Sequence, residues 1–301
     1  MPQTSPTPLN AVSTHDEQVV PFKRDRPIGQ ILAQSRGLHA SDIERILRNQ
    51  GQHGGQFGEV AIALGLASEQ AVFEALAEQF DYPCLRSPEA PEFDSELVCA
   101  SDPLGEDAHG FRELRSELLS GVLDRRVAPR ALAVLSPERG DGRSYVAANL
   151  AIAFAQLGGR TLLIDADMRA PRQHALFRMD NTAGLSQLLS GRAAADYVVQ
   201  PSPFPGLLLV GAGTIAPNPA ELLHRAAFAA LIRESLAKFD YVVLDTPAAS
   251  QGTEARVLAA TAGAALVVAR PHASRMAALQ RLVASIEKGP AALAGVVMNE
   301  H

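Results

Sequence analysis

Three observations predict an α/β fold in which a small helical domain precedes a doubly wound parallel sheet. From residue 131 onward, short apolar runs rich in strand-forming residues alternate with helical stretches, as in parallel sheets that helices cover on both faces. Residues 26–83 instead contain a degenerate helical repeat. The chain has 301 residues, which is enough for one sizeable core and a smaller module.

Composition argues against several classes of protein. The net charge is −6, so no basic tract is available for non-specific nucleic-acid binding. The first residues lack a basic start and an apolar core, which argues against a signal peptide, and the apolar runs are shorter than the roughly 20 residues of a membrane-spanning helix. Cys84 and Cys99 have no metal or redox spacing and suggest a reducing compartment. We therefore expect a cytoplasmic protein with no nucleic-acid partner.

The first part of the chain predicts a tail and a small helical domain. We expect residues 1–23 to be disordered and residues 24–84 to form the domain. There, "RPIGQILAQSRGLHASDIERILRNQ" is echoed by "QFGEVAIALGLASEQAVFEALAEQ". Each copy has a glycine, an apolar pair, Gly-Leu and a small polar residue before an amphipathic helix. Ser41 and Glu44 have the spacing of a capping box and predict where one such helix begins.

A linker and a docking helix come next. Three prolines interrupt residues 85–105, which we interpret as a linker before a second domain over 106–301. The apolar residues that follow the linker recur at helical spacing: Phe111, Leu114, Leu118 and Val122. They predict a helix that docks on the second domain.

Six apolar runs predict the strands of the second domain. They are "ALAVLS", "TLLIDAD", "LLLVGAG", "YVVLDTP", "AALVVAR" and "AGVVMN". In such sheets, ligands bind at the carboxyl ends of the strands. The residues at those ends are therefore the candidates for a functional site.

The first strand runs into a glycine turn and then a helix. In "SPERGDGRS", Gly140 and Gly142 allow the backbone to turn its N–H groups inward, and the helix N-terminus adds partial positive charge. Ser144 has the position of a magnesium-binding hydroxyl. Arg143 stands where such loops carry lysine; it keeps the charge but has a bulkier, forked head. Asp141 adds a negative charge that is unfavourable unless it points to solvent.

Two further strands end in acidic residues. Asp165 and Asp167 follow one strand, and their side chains start from the same face if the strand continues through them. Asp245 ends another strand. Hard oxygen ligands and a base beside a phosphate loop are what a magnesium–triphosphate site needs. These residues therefore predict a nucleotide site at one edge of the sheet.

Five segments in order carry a resemblance to a known family. "SPERGDGRS", "LLIDADMRAP", "GLSQLLSGR", "NPAELL" and "VVLDTPAA" resemble the bacterial tyrosine kinases of capsule and exopolysaccharide synthesis. These kinases are relatives of the deviant P-loop ATPases, and the resemblance covers roughly residues 108–301. The helical domain resembles the N-terminal domain of type II secretion ATPases, which in some members binds cyclic di-GMP. Together the two parts are similar to the kinases associated with chain-length determinants.

The resemblance implies an enzyme that uses ATP and Mg²⁺ to phosphorylate tyrosine and regulates exopolysaccharide biosynthesis and chain length. It implies catalytic roles for Asp165, Asp167 and Arg143, and Arg169 completes the Asp-x-Asp-x-Arg pattern. The nucleotide-binding residues that it implies are Gly140, Asp141, Gly142, Arg143, Ser144 and Tyr145, and the metal-binding residues are Ser144, Asp167 and Asp245. The implied partners are a membrane chain-length-determinant protein, further copies of the chain, and cyclic di-GMP. The protein would then lie in the cytoplasm, at the inner membrane where that partner holds it.

The sequence departs from the family at several positions. The family's oligomerisation motif, Glu-x-x-Arg-x-x-Arg, corresponds to His109, Arg112 and Arg115. In the helical domain, the second repeat has Gln56-Phe57 where the motif of the secretion-ATPase domain has Arg-Leu. The chain also lacks the C-terminal tyrosine cluster; its tyrosines are Tyr82, Tyr145, Tyr197 and Tyr241.

These departures leave a second interpretation open. The chain could be a nucleotide-gated interaction module, or an ATPase switch, with little or no kinase activity. Under the kinase interpretation, we expect autophosphorylation to be weak or confined to Tyr82 or Tyr197. Tyr145 and Tyr241 lie in a predicted helix and a predicted strand, where we expect their rings to pack.

Overall fold

The structure, a computed structural model, describes residues 26–36, 38–79, 93–103 and 105–301. These residues belong to two compact units, divided between residues 88 and 89. The predicted tail over residues 1–23, Tyr82 and Cys84 lie outside the described residues. Within the described ranges, no helix is both long enough and apolar enough to cross a membrane.

In the first unit, each copy of the repeat forms a pair of helices. The first copy contains α1 (Ile28–Arg36) and α2 (Ala40–His53), and the second contains α3 (Phe57–Ala63) and α4 (Glu69–Gln79). Both copies contribute side chains to one apolar core, including Ile31, Leu32, Ile46, Val60 and Val72.

Glycines at matching positions of the two copies allow close helix packing. A Cβ on Gly29 of α1 would lie 3.0 Å from the Phe57 ring, and a Cβ on Gly58 of α3 would lie 2.5 Å from a methyl group of Val72. Phe57 of the second copy thus packs against Gly29 of the first copy. The repeated glycines are packing residues in this unit.

The predicted capping box at Ser41 and Glu44 is wrong. Helix α2 begins at Ala40, and the backbone N–H of His39 donates to the Asp42 carboxylate at 3.0 Å. The side chain that reaches back belongs to the third helical residue. Because the sequence offers acidic residues at both 42 and 44, the spacing alone could not select the right one. The second copy begins in the same way, with the Gln56 N–H donating to Glu59 at 2.9 Å.

The second unit confirms the predicted fold class, with a seven-stranded sheet in the order β3-β4-β2-β5-β1-β6-β7. Its strands are β1 (Ala131–Leu135), β2 (Thr161–Asp165), β3 (Val199–Pro201), β4 (Leu207–Val210), β5 (Tyr241–Asp245), β6 (Gly263–Ala269) and β7 (Ala292–Met298). All pairs are parallel except β3 with β4. The sequence did not predict β3, a three-residue edge strand that contains a proline.

Helices of this unit cover the sheet. They are α5 (Val98–Ser101), α6 (Glu106–Ser120), α7 (Arg143–Ala155), α8 (Gln173–Leu176), α9 (Leu185–Leu189), α10 (Ala195–Val198), α11 (Pro219–Leu223), α12 (Ala226–Lys238), α13 (Glu254–Ala262) and α14 (Met276–Glu287). Helix α7 is buried along almost its whole length and packs on β1, β2 and β5. The predicted docking helix is α6, which packs on α7 through Phe111 and Leu118.

The predicted linker over 85–105 differs from the structure in its described part. Residues 93–103 pack onto the α/β unit, with Phe93, Leu97 and Cys99 buried. Asn149 of α7 accepts a hydrogen bond from the Cys99 N–H at 3.0 Å. The prolines suggested a linker, but these apolar side chains decide the packing here.

The register of the sheet positions the site. Strands β2, β5 and β1 are consecutive neighbours, and Asp165 at the end of β2 pairs with Asp245 at the end of β5. Val134 of β1 pairs with Asp245 in turn. The turn after β1 therefore begins at the same edge as both carboxylates.

Candidate active site

The turn after β1 is a tight glycine loop that leads directly into α7. Gly140 and Gly142 have φ values of +88° and +96°, a region that L side chains rarely adopt. Helix α7 begins at Arg143, so the first N–H groups of this helix have no acceptor within the helix. A Cβ on Gly142 would lie 1.9 Å from Nδ2 of Asn299, whereas Gly140 has open space. The loop thus presents backbone donors at a helix N-terminus, as an anion site requires.

Arg143 is buried and holds this loop in place. Its Nε donates to the Thr246 carbonyl at 2.7 Å, and its Nη1 donates to Ser136 Oγ at 2.6 Å and to the Glu138 carbonyl at 2.9 Å. A guanidinium has five N–H donors, so these bonds use the Nε and Nη1 donors. Nη2 lies 3.7 Å from Asp167 Oδ2. The Nη2 donors therefore stay available for a phosphate oxygen.

The side chain of Asp141 does not point to solvent, although the sequence suggested that its negative charge would be unfavourable anywhere else. Its side chain is buried, and its oxygens accept hydrogen bonds from the Glu138 N–H at 2.8 Å and Ser274 Oγ at 2.7 Å. Asn299 donates to the Asp141 carbonyl at 3.2 Å. Local donors thus offset the charge, and Asp141 ties the loop to the segments after β6 and β7. Ser274 and Asn299 were not predicted from the sequence, because neither lies in a recognisable motif.

Asp165 is fully buried and bonded to backbone donors. Strand β2 ends at Asp165 and does not continue to Asp167, so the two residues do not lie on one strand face. One carboxylate oxygen accepts the Asp167 N–H at 3.2 Å, and the other accepts the N–H groups of Arg172 and Gln173, both at 3.0 Å. Burial, followed by the nearby charge of Asp245, raises the pKa of Asp165 well above its usual value.

Asp167 lies in the turn after β2, directly opposite Arg143. Its Oδ1 accepts the N–H groups of Arg169 at 3.2 Å and Ala170 at 3.0 Å, and its Oδ2 is the oxygen that faces Arg143. The guanidinium of Arg169 donates twice to Glu254, a buried residue at the start of α13, at 3.0 and 2.5 Å. Arg169 thus fixes the turn that carries Asp167. The role of Glu254 was not predicted from the sequence.

Asp245 is fully buried at the end of β5, and one of its oxygens is unpaired. Its Oδ2 accepts a hydrogen bond from Gln173 Nε2 at 2.7 Å, whereas its Oδ1 has no hydrogen-bond partner among the described residues. Burial raises the pKa of Asp245, although the charge of Arg143 and the nearby polar side chains of Gln173 and Ser144 oppose this effect. Gln173 was not predicted from the sequence, because only the tertiary fold brings it next to the ends of β2 and β5.

The donor set fits a magnesium ion that a nucleotide completes. The Ser144 hydroxyl, the unpaired oxygen of Asp245 and Oδ2 of Asp167 are hard oxygen groups near the phosphate loop. No group of three or more His, Cys, Asp or Glu side chains in the described ranges could hold a metal ion. Mg²⁺ usually takes only one or two carboxylates and fills its shell with phosphates and water. A magnesium site therefore does not require a group of three such side chains.

The described tyrosines differ in exposure. The Tyr145 ring is buried between Phe111 and His301, with ring centroids 5.6 and 4.6 Å away, and Tyr241 stacks on Phe154 at 4.5 Å. Tyr197 is 79% exposed. The ring of Tyr145 therefore packs, as expected, and the assignment of Tyr145 as a nucleotide-binding residue stays a prediction.

The residues aligned with the oligomerisation motif make contacts within the chain. Arg112 donates to the Pro103 carbonyl and Arg115 to the Ala153 carbonyl, both at 2.7 Å, and His109 pairs with Glu113 at 3.1 Å. In the structure, both arginines contribute to the packing around α6.

Comparisons with known proteins show which proteins the chain is similar to. A family model described as "ParA: NUBPL iron-transfer P-loop NTPase" matches residues 128–301. The Bacillus subtilis tyrosine-protein kinase YwqD is 30% identical over 215 residues, 71% of this chain and 90% of that protein. The crystal structure of the chimerical protein CapA2B2 has a TM-score of 0.65 at 31% identity and covers 76% of this chain and 98% of its own.

A more distant structure shares the fold alone. The septum site-determining protein MinD from Pyrococcus horikoshii, complexed with Mg-ADP, has a TM-score of 0.50 at 21% identity and covers 57% of this chain and 70% of its own. Taken with the phosphate loop and the acidic strand ends, the matches show that the chain belongs to the bacterial tyrosine-protein kinases, within the P-loop NTPase fold.

Proposed function

We propose that the chain transfers the γ-phosphoryl group of ATP to tyrosine with Mg²⁺ as cofactor. One observation carries the proposal: the phosphate loop, Asp167 and Asp245 converge at the carboxyl edge of β1, β2 and β5. Positioning and charge stabilisation are the main requirements of phosphoryl transfer. Both are provided by groups that the fold holds in place.

Each residue has a distinct role in this proposal. The loop N–H groups and Nη2 of Arg143 bind phosphate oxygens, and Arg143 stabilises the charge that develops on the transferred group. Ser144 and the carboxylates of Asp167 and Asp245 hold the magnesium ion directly or through water. The ion, when bound, neutralises charge on the phosphates.

Asp165 is the proposed group that orients or deprotonates the tyrosine hydroxyl. An ionised carboxylate has about four lone-pair sites, and backbone N–H groups occupy three of them on Asp165. One acceptor site thus remains on Asp165 for the tyrosine hydroxyl. Asp167 Oδ2 is the competing candidate, because the backbone donors that the described residues offer to Asp167 all bond to its Oδ1.

The cellular role rests on the resemblance noted in the sequence. In this proposal, the kinase regulates exopolysaccharide biosynthesis and chain length in the cytoplasm, together with a membrane chain-length-determinant partner. The first unit would be a regulatory module of the secretion-ATPase type. Titrating the full chain with cyclic di-GMP by calorimetry tests that part; absence of heat at high ligand concentration would rule out a nucleotide sensor and favour protein docking.

The fate of the γ-phosphate tests the function. We expect ATP labelled at the γ position to yield phosphotyrosine, on this chain or on a synthetic tyrosine polymer, when Mg²⁺ is present. Release of labelled phosphate to water without phosphotyrosine would instead support an ATPase switch. Binding without either product would support a nucleotide-gated interaction module.

One observation favours that second candidate function. Arg143 uses most of its N–H donors to hold the loop in place. It therefore also suits a site that binds the nucleotide and converts it only slowly. Phosphorylated peptides identified by mass spectrometry would separate the cases. Phosphate on Tyr197 agrees with its exposure, and abundant phosphate on buried Tyr145 would contradict the predicted acceptors.

A further inference from the structure

Gln173 connects the two acidic strand ends. It is 1% exposed at the start of α8. Its backbone N–H donates to Asp165 at 3.0 Å, and its side-chain Nε2 donates to Asp245 Oδ2 at 2.7 Å and to the Ser144 carbonyl at 3.1 Å. One residue therefore contacts both carboxylates and the residue that carries the magnesium-binding hydroxyl.

These contacts define the orientation of the Gln173 amide. Both neighbours of the Nε2 group are acceptors, a carboxylate and a carbonyl. Exchanging the amide nitrogen and oxygen would bring three oxygens together without a donor. The Nε2 group must therefore face Asp245, which leaves Oε1 on the other side of the amide.

Two buried acceptors then remain in this hydrogen-bonded pair. Oε1 of Gln173 and Oδ1 of Asp245 are both buried, and neither has a hydrogen-bond partner among the described residues. Leaving such groups unsatisfied is costly. Unpaired acceptors on both members of a hydrogen-bonded pair suit a ligand that brings several O–H groups, such as the water shell of a small cation.

We propose that Gln173 is the positioning residue of the magnesium site. Its Nε2 holds the Asp245 carboxylate with Oδ1 free for the ion or a water bound to it, and its Oε1 accepts a hydrogen bond from the hydrated ion. This inference rests on the proposed function, because it concerns the same nucleotide site. It adds a residue that no phosphate-loop or acidic motif contains.

The test measures how Mg²⁺ changes nucleotide affinity. Gln173→Met keeps the side-chain length and removes the donor and the acceptor, while the backbone bond to Asp165 stays. Partners that orient a metal's ligands typically contribute 10–100-fold to metal affinity. The ADP dissociation constant of the full chain is measured by calorimetry across a Mg²⁺ series and in EDTA.

For Gln173→Met, we expect the Mg²⁺ concentration for half-maximal enhancement of ADP affinity to rise about tenfold or more. ADP affinity in EDTA should stay within about twofold, because the loop donors are untouched. Gln173→Asn is a second variant, which keeps an amide and is one methylene shorter; its shorter amide cannot reach Asp245, so the same shift is expected. It replaces the methionine variant if that variant does not fold.

The matched control is Gln156→Met. Gln156 is also a buried glutamine of this unit, and it donates to the Cys99 carbonyl at 2.9 Å. This variant should lose stability without changing the Mg²⁺ dependence. An unchanged Mg²⁺ dependence in folded Gln173→Asn would overturn the inference alone. A wild-type chain whose ADP affinity does not respond to Mg²⁺ would overturn the proposed site and this inference with it.

Discussion

At the scale of single residues, Arg143 shows how a substitution in a motif can change its mechanics while keeping its charge. Its Nε and Nη1 bind Thr246, Ser136 and Glu138, and only Nη2 faces Asp167. A lysine has one compact ammonium group and cannot make this set of contacts. Arg143 thus supports the loop, and in the proposed function it also neutralises phosphate charge.

This division of roles predicts the effects of two variants. Arg143→Lys keeps a positive charge at the phosphates, so we expect ADP affinity within about threefold of wild type, with a less stable loop. Arg143→Ala should weaken binding by about tenfold or more, because a charge-assisted hydrogen bond is lost. Calorimetry with Mg-ADP measures both. An alanine variant that binds as tightly as wild type would show that backbone donors suffice.

A second prediction at this scale concerns Cys99. Burial raises the pKa of the Cys99 thiol to about 12, although Arg112 and Arg115 oppose this effect. At pH 8, only about one folded molecule in 10⁴ then carries the thiolate, and stability should fall as pH rises from about 8.5, where an unfolded thiol ionises, toward 12.

Alkylation tests this prediction in a Cys84→Ser background. Iodoacetamide should label Cys99 at pH 8 far more slowly than a free thiol, and mild urea should increase the rate. Labelling of the folded chain at the rate of a small-molecule thiol would contradict the burial of this residue.

At the scale of elements, the phosphate loop depends on glycine in two different ways. Gly140 and Gly142 both have positive φ, but only Gly142 also contacts Asn299. Gly140→Ala should therefore cost about 1 kcal/mol of backbone strain. Gly142→Ala should cost more, because the Asn299 side chain that supports the loop must move.

Comparing the two variants separates strain from contact. We expect Gly142→Ala to lower the thermal midpoint further and to weaken Mg-ADP binding more strongly than Gly140→Ala. Scanning calorimetry and binding calorimetry on the same samples measure these effects. Equal losses in the two variants would mean that the contact with Asn299 does not matter.

The helix repeat of the first unit gives a matched pair of the same kind. A Cβ on Gly58 would lie 2.5 Å from Val72, whereas Gly51 in α2 has open space. Gly51→Ala should stabilise its helix by about 0.5–1 kcal/mol, and Gly58→Ala should destabilise the unit. Hydrogen exchange in peptides from residues 26–79 of the full chain measures both. Protection that rises in Gly58→Ala would contradict the packing role.

How far the sequence predicted each element depends on how local its cause is. The six apolar runs predicted six strands, because burial on both faces leaves a continuous apolar pattern. Strand β3 and the packed residues 93–103 were missed, because their structure depends on distant partners, such as β4 for Val199 and α7 for Cys99. In the site, motif residues were predicted, whereas Gln173 and Glu254 required the tertiary fold.

At the scale of the whole molecule, two compact units provide different chemistry. The second unit has the P-loop NTPase fold and contains the proposed nucleotide site, and the chain belongs to the bacterial tyrosine-protein kinases. The first unit is a repeat of helix pairs with its own core. In the proposed function, the second unit therefore provides catalysis and the first unit provides regulation.

The most direct test of the central claim is the amount of labelled phosphotyrosine formed by the full chain with Mg-ATP and a tyrosine polymer. We expect phosphotyrosine from wild type, none in EDTA, and a loss of at least about 100-fold in Asp167→Ala and Asp245→Ala, because phosphate and metal positioning provide most of the catalysis. Phosphotyrosine formation that persists in both variants, or its absence in the wild type with label released only as free phosphate, would contradict the account.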